Sequence, residues 1–308
     1  MTLSREVIMK AVIAEQKLTP FKFPMIEMLL LLVALFWGTS YGLTKTALIY
    51  TSIYMFIALR FSITFLCLLP AVVRDFKLGL NKDWRDAIPT GIVLSAIFVC
   101  EVSGIAMTTA SNAAVLISLF VIFTALAELI INKTRITNKL ILLSLTSVLG
   151  VFLLTSSQQL ELSLNQGDYL ILSAALLRAI MVTVTKKNTQ EREITTSTLT
   201  AIQALVVSIV AITLLLLTSL GEITWPVQLN FWFIMAYLVF FCTLFAFYIQ
   251  NHAIRKTSPT RVSLLMGSEP LFGAIFALIW LEESFTIFQL IGGSLILLSV
   301  IVTSLREN

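Results

Sequence analysis

The feature that most constrains this chain is the recurrence of apolar runs about as long as a membrane is thick. Crossing roughly 30 Å of hydrocarbon at about 1.5 Å per residue takes about 20 residues of helix. The runs near 27–48, 52–73, 86–106, 111–131, 139–155, 168–186, 197–220, 231–252, 261–281 and 286–304 are of about that length. Charged residues make up 12% of the chain and apolar residues 58%, far from the roughly one quarter charged of a water-soluble domain. In lipid every backbone donor and acceptor must be satisfied inside the spanning segment. The expected fold class is therefore an all-α integral membrane protein with ten transmembrane helices.

Charge placement sets the expected orientation. All basic residues except Lys45, Arg60 and Arg178 fall before residue 27, within 74–85, 133–139, 186–192 and 255–261, or at Arg306. The loops 49–51, 107–110, 156–167, 221–230 and 282–285 carry none, and Glu161, Glu222, Glu282 and Glu283 stand there instead. Positive residues are retained on the cytoplasmic side, so a multi-pass protein of the cell (inner, cytoplasmic) membrane with both termini in the cytoplasm is expected. Residues 1–26 lack a small-residue cleavage site and read as a cytoplasmic tail. The excess of four positive charges forms no continuous stripe, which argues against nucleic acid as a partner. Membrane lipid and a small-molecule substrate are the partners expected, for a chain acting as a monomer. Cys67, Cys100 and Cys242 lie far apart in apolar runs, without the spacing of a disulfide framework or a metal site.

Five spans per half is an odd number, so two consecutive similar halves must insert with opposite orientation. A shift of 149 residues lays 110–137 on 259–286, matching Phe123 with Phe272, Ala125 with Ala274 and Thr137 with Thr286. A shift of 141 lays 34–45 on 175–186 and brings Lys45 opposite Lys186, and a shift of 143 lays 58–60 on 201–203. The expected organisation is a tail at 1–26, a first five-helix repeat at 27–155, an external linker at 156–167, a second repeat at 168–304 and a tail at 305–308.

Several segments in this order resemble the drug/metabolite transporter (DMT) superfamily, specifically its EamA-type ten-helix permeases. In the first half these are Trp37-Gly38-Thr39-Ser40 leading to Lys45, then Arg60, then Thr109-Ala110-Ser111-Asn112-Ala113-Ala114 leading to Phe123-Thr124-Ala125-Leu126. In the second half Gly167-Asp168, Thr243, Ala253-Ile254-Arg255, Glu269-Pro270 and Leu281-Glu282-Glu283 repeat the theme, closing on Gln289-Leu290-Ile291-Gly292. The resemblance implies a cavity between the halves, formed by helices one, three, four, six, eight and nine. It also implies secondary transport by alternating access, with efflux of an amino acid or related small polar metabolite as the first expectation and import of a vitamin-like nutrient as the second. Three positions depart from the pattern. Val121 stands where Pro is usual, Thr134 where Glu is usual, and Arg178 where Trp is usual, the last changing the charge of whatever that helix faces.

An ionisable side chain at mid-bilayer costs at least about 2.5 to 3.5 kcal/mol and needs a partner, water or a function. The candidates are Lys45, Arg60, Arg178, Glu101, Glu128 and Glu269. By helical rise, Arg178 lies about 15 Å below Asp168 and Glu269 about 12 Å above Arg261, both near the midplane, where repeat-built transporters bind substrate. Arg178 is thus the candidate for an anionic or hydrogen-bonding group of the substrate, with Glu269 as counter-charge or proton acceptor. A buried structural ion pair is the plainer reading. Arg60 and Glu101 share a depth, so a pair between them, or a role at the outer opening, is expected. Lys45 reads as a gating or structural charge near a helix end, Glu128 as interfacial beside Lys133 and Arg135, and Pro270 as a loosening of the helix one turn earlier. Trp37 with Tyr41, and Phe98 with Glu101, share helix faces and could line a substrate wall; Asn112 and Tyr248 complete the candidate lining. No cofactor is expected beyond a proton coupled through Glu101 or Glu269.

Other classes fit less well. An enzyme is not expected: the one conceivable nucleophile and base, Ser268 and His252, lie apart without a third group to orient the imidazole. No P-loop or HExxH pattern occurs. A channel or non-transporting receptor is the remaining rival, since a water-filled cavity also calls for buried charge.

Overall fold

The computed structural model describes residues 25–155, 164–218, 225–280 and 286–304. Among these residues the regular structure is helical, and each of the ten expected segments is a helix or a broken helix. They are α1 (Met25–Ala47), α2 (Ile53–Lys77), α3 (Ile88–Met107), α4 (Ala110–Ser118 and Phe120–Ala127), α5 (Asn138–Thr155), α6 (Gln166–Thr189), α7 (Thr196–Thr218), α8 (Leu229–Lys256), α9 (Pro259–Met266 and Glu269–Trp280) and α10 (Ile287–Ser304). A 3₁₀ turn, Trp84–Ala87, leads into α3, a π turn, Glu128–Asn132, ends α4, and a second π turn, Phe240–Phe245, interrupts α8. Seven of these segments are long and apolar enough to cross a membrane by length and hydropathy alone. α5 and α10 are shorter apolar helices, and α9 is divided by its break. The expected linker at 156–167 lies mostly, and the tail at 305–308 wholly, outside the described residues; of the tail at 1–26 only Met25 and Ile26 are described, and they open α1.

Helix ends repeat between the halves at the shifts found in the sequence. Ser52 caps α2 by accepting from Met55 N at 3.4 Å, and Thr195, 143 residues on, caps α7 by accepting from Thr198 N at 3.2 Å. α3 and α8 both stop at an extended threonine, Thr108 and Thr257, 149 residues apart. α1 and α6 end in lysines that serve the unsatisfied carbonyls of a neighbouring helix end: Lys45 Nζ donates to Thr108 O at 3.1 Å and Lys186 Nζ to Arg255 O at 3.3 Å. Lys45 thus ties the end of α1 to the end of α3. Thr108 Oγ1 in turn donates to Asp168 Oδ1 at 2.5 Å in the first turn of α6, where Asn165 and Asp168 form a capping box. The C-terminal end of α1 thus sits with the N-terminal end of α6, and the two helices run antiparallel.

Packing obeys the same exchange. α2 packs on α7 and α5 on α10; α3 packs on α6 as α8 packs on α1, and α4 packs on α6 as α9 packs on α1. The α5–α10 crossing has no room for side chains: a Cβ at Gly292 would lie 2.5 Å from Gly150 O, and one at Gly150 2.7 Å from Gly292 O. Small residues at such crossings let backbones approach, which is how helices associate where lipid supplies no hydrophobic drive. The outer surface carries Leu142, Phe152, Leu216, Leu217 and Ile301, whereas Thr90, Gln203, Gln250, Asn251 and the charged groups of the core are buried. Polar groups inside and apolar groups outside is the pattern a lipid solvent demands.

Candidate functional site

The break in α9 creates the centre of the site. Pro270 has no N–H for the preceding turn, and α9 stops at Met266 and restarts at Glu269. The loosening expected one turn before Pro270 is there as a break. α4 breaks at the equivalent place: Leu119 N donates to Leu116 O at 3.3 Å, as Ser268 N donates to Leu265 O at 3.4 Å, 149 residues on. The first half has Val121 in place of Pro, so the break in α4 does not depend on a missing donor. The two breaks meet, since a Cβ on Gly267 would come within 2.3 Å of Val121 Cγ2.

Glu269, fully buried at this break, receives Tyr41 Oη at 2.9 Å and Arg178 Nη1 at 3.4 Å, both on Oε1. Arg178 Nη2 reaches Glu101 Oε2, also at 3.4 Å. Five helices therefore converge, with α1 contributing Trp37 and Tyr41, α3 Glu101, α4 Phe120, α6 Arg178 and α9 Glu269. The guanidinium lies over the Trp37 ring at 4.5 Å and near the Phe120 ring at 5.4 Å, so aromatic faces enclose the cation. The second carboxylate oxygen of Glu269, Oε2, is buried and accepts no hydrogen bond among the described residues. The side chains of Arg178 and Glu101 keep 8% and 10% of their surface exposed against none for Glu269, so water-sized space touches the first two.

Beside this cluster the π turn of α8 presents a carbonyl that an α-helix would have used internally. Cys242 O accepts from Trp37 Nε1 at 2.8 Å and from Arg60 Nη2 at 3.4 Å, while Arg60 Nε donates to Thr243 Oγ1 at 2.6 Å. Arg60 also lies over Phe98 at 5.2 Å. Phe98 touches Phe61 and Phe247, and Phe247 touches Trp37.

Several expectations change here. Arg60 does not pair with Glu101, because the carboxylate turns to Arg178 on α6 while Arg60 turns to α8. Tyr248 is half-buried and packs on the core, and the ring contacts come from its neighbour Phe247. Asn112 lies in α4, with its side chain outside the described residues. Glu128, at the end of α4 before Lys133 and Arg135, is buried and accepts from Thr260 N at 2.9 Å and Thr260 Oγ1 at 2.5 Å, closing the first turn of α9. Sequence reasoning missed Phe120, Phe247 and the π turn. The first was within reach, since Phe120 stands opposite Glu269 at the 149-residue shift.

Paired charges buried between the halves of a multi-helix membrane protein accord with a membrane transporter, and comparison with known proteins assigns that class. The model of the EamA-like transporter family matches twice, over residues 24–156 and 165–305, and the chain belongs to that family, within the DMT superfamily. An uncharacterized transporter of Archaeoglobus fulgidus is 27% identical over 280 residues, covering 90% of this chain and 85% of its own. The uncharacterized transporter YyaM of Bacillus subtilis is 24% identical over 290 residues, covering 91% and 93%. A solved protein crystal structure superposes with a TM-score of 0.76 over 91% of this chain and 96% of its own at 14% identity, a likeness of fold alone. These relatives are transporters by name, which accords with a protein that is not an enzyme.

Proposed function

We propose that this transporter carries a small polar metabolite, an amino acid or a related compound, by alternating access between its two halves. One observation carries the reading: Glu101, Arg178 and Glu269 come from α3, α6 and α9, so the charges meet where the two halves join. Charged groups held between mobile halves, with partial exposure, suit a site that opens to each side in turn. The antiparallel run of α1 and α6 and the exchange pattern of helix packing support an inverted repeat, and the basic loop ends support cytoplasmic termini. Glu269 Oε2, buried without a donor, is the atom at which a coupled proton would be held.

The test is a thermal-shift screen of the purified protein against amino acids, vitamins and drugs, with liposome flux on the hits. Saturable uptake with counterflow is expected, and unsaturable conductance would make the protein a pore instead. Glu269→Gln is expected to remove the pH dependence of flux. Normal transport with an unchanged pH profile in that variant would end the proton role.

A further inference from the structure

Among the described residues four charged side chains lie buried in the central layer of the helices, Arg60, Arg178, Glu101 and Glu269, two of each sign. Their balance is uneven in space. Both carboxylates are on Arg178. Arg60, only 4% exposed, has no ion pair among the described residues, and its bonds go to a neutral hydroxyl and a neutral carbonyl. Those two bonds use two of the five N–H donors of a guanidinium. Burying a cation without an anion is costly, and the cost is greater still where lipid surrounds the fold.

We infer that Arg60 is the anchor for an anionic group of the transported molecule, while Glu101 and Glu269, in excess over Arg178, receive a cationic group. This inference rests on the transport reading for its cargo, and not for its chemistry. The geometry of the two ends fits one small ligand. Phe98, under Arg60, and Glu101 share a face of α3 one turn apart, about 4.5 Å along its axis. Arg60 and the Nε1 edge of Trp37 meet on one carbonyl, and Arg178 lies over the face of the Trp37 ring. A positive end and a negative end thus flank a floor of aromatic rings, which matches a compact zwitterion laid across Trp37 and Phe98. Arg178, already held by two carboxylates, is the positioning residue of the negative end. The π turn positions Arg60 through Thr243.

The probes are benzoate and benzylamine, each one ring with one charge, in thermal-shift titrations of the full-length protein in detergent. Benzoate is expected to stabilise the parent, to lose at least about tenfold in apparent affinity in Arg60→Gln, and to recover part of it in Arg60→Lys. Benzylamine is expected to bind Arg60→Gln as it binds the parent, and to weaken in Glu101→Gln. If Arg60→Gln does not fold, Thr243→Val, which frees Arg60 from its hydroxyl, is expected to shift benzoate affinity and leave benzylamine unchanged. Benzoate binding that survives Arg60→Gln or ignores Thr243→Val overturns the assignment, as does a parent that benzoate leaves unstabilised. Failure of the transport reading would look different, as an absence of counterflow for every amino acid in liposomes while the benzoate result stands.

Discussion

The two halves place different chemistry on the same three helix positions. In the first half Trp37, Glu101 and Phe120 occupy them; at shifts of 141, 149 and 149 residues the second half has Arg178, Gln250 and Glu269. The backbone around them is matched, down to the caps at Ser52 and Thr195 and the breaks in α4 and α9. The side chains interlock between the halves. Arg178 of the second half lies over Trp37, its own counterpart, and near Phe120, the counterpart of Glu269, while it binds Glu101, the counterpart of Gln250. Like residues at these places would have set charge against charge or ring against ring. Divergence between matched positions supplies complementary partners while the caps and breaks around them stay alike.

The largest effect is expected from Arg178→Gln, which leaves Glu101 and Glu269 buried without their shared cation. A cost of about 3 to 5 kcal/mol in stability and loss of flux should follow, read by thermal unfolding and liposome uptake. Adding Glu101→Gln should recover part of the stability, since the two residues are coupled. An Arg178→Gln protein as stable as the parent would mean that charge does not lock the halves together.

Next comes the crossing of α1 and α9. A Cβ on Gly38 would lie 2.5 Å from Glu269 O, so Gly38→Ala should cost about 1 to 3 kcal/mol by overpacking. At its counterpart in α6 the chain already carries Ala179, fully buried. Ala179→Gly should cost only about 1 kcal/mol, as a helix-propensity loss. Equal penalties at the two sites would break the comparison. Trp37→Phe keeps a ring under Arg178 and removes the donor to Cys242 O, so about 1 kcal/mol is expected in thermal unfolding from the lost hydrogen bond.

The smallest effect belongs to Val121→Pro, which restores the residue found at the equivalent Pro270. Proline in a helix interior costs about 3 kcal/mol. Because α4 already breaks at Leu119, less than about 1 kcal/mol is expected here. A full helix-interior penalty in thermal unfolding would show that the two breaks are not equivalent.

Much of this frame was legible in the sequence because it depends on length and periodicity. Ten apolar runs became ten helical segments, and Lys45 opposite Lys186 became two lysines doing the same job at two helix ends. Helical rise placed Arg178 and Glu269 at one level, and they are paired. Rotation about the helix axis was harder to read. Equal depth suggested Arg60 with Glu101, but depth says nothing of which neighbour a side chain faces, and they face α8 and α6. Tyr248 is half-buried while the ring contacts to Trp37 and Phe98 come from Phe247, one residue and about 100° around the helix away, a difference that depth does not register. The π turn of α8 inserts an extra residue into the helix without Gly or Pro to mark it, so no local signal announced the carbonyl at Cys242. The basic residues that follow Glu128 gave no sign of its partner, which is 132 residues away on α9.

That partner has a consequence for how the seam between α4 and α9 can part. Ser258 and Glu128 divide the unsatisfied donors at the start of α9, one from its own half and one from the other. Pulling the halves apart there strands an amide and a hydroxyl, together with a carboxylate, in a place that was dry. Under the proposed alternating access solvent would have to arrive as the seam separates, so wetting and opening at that end would be one event.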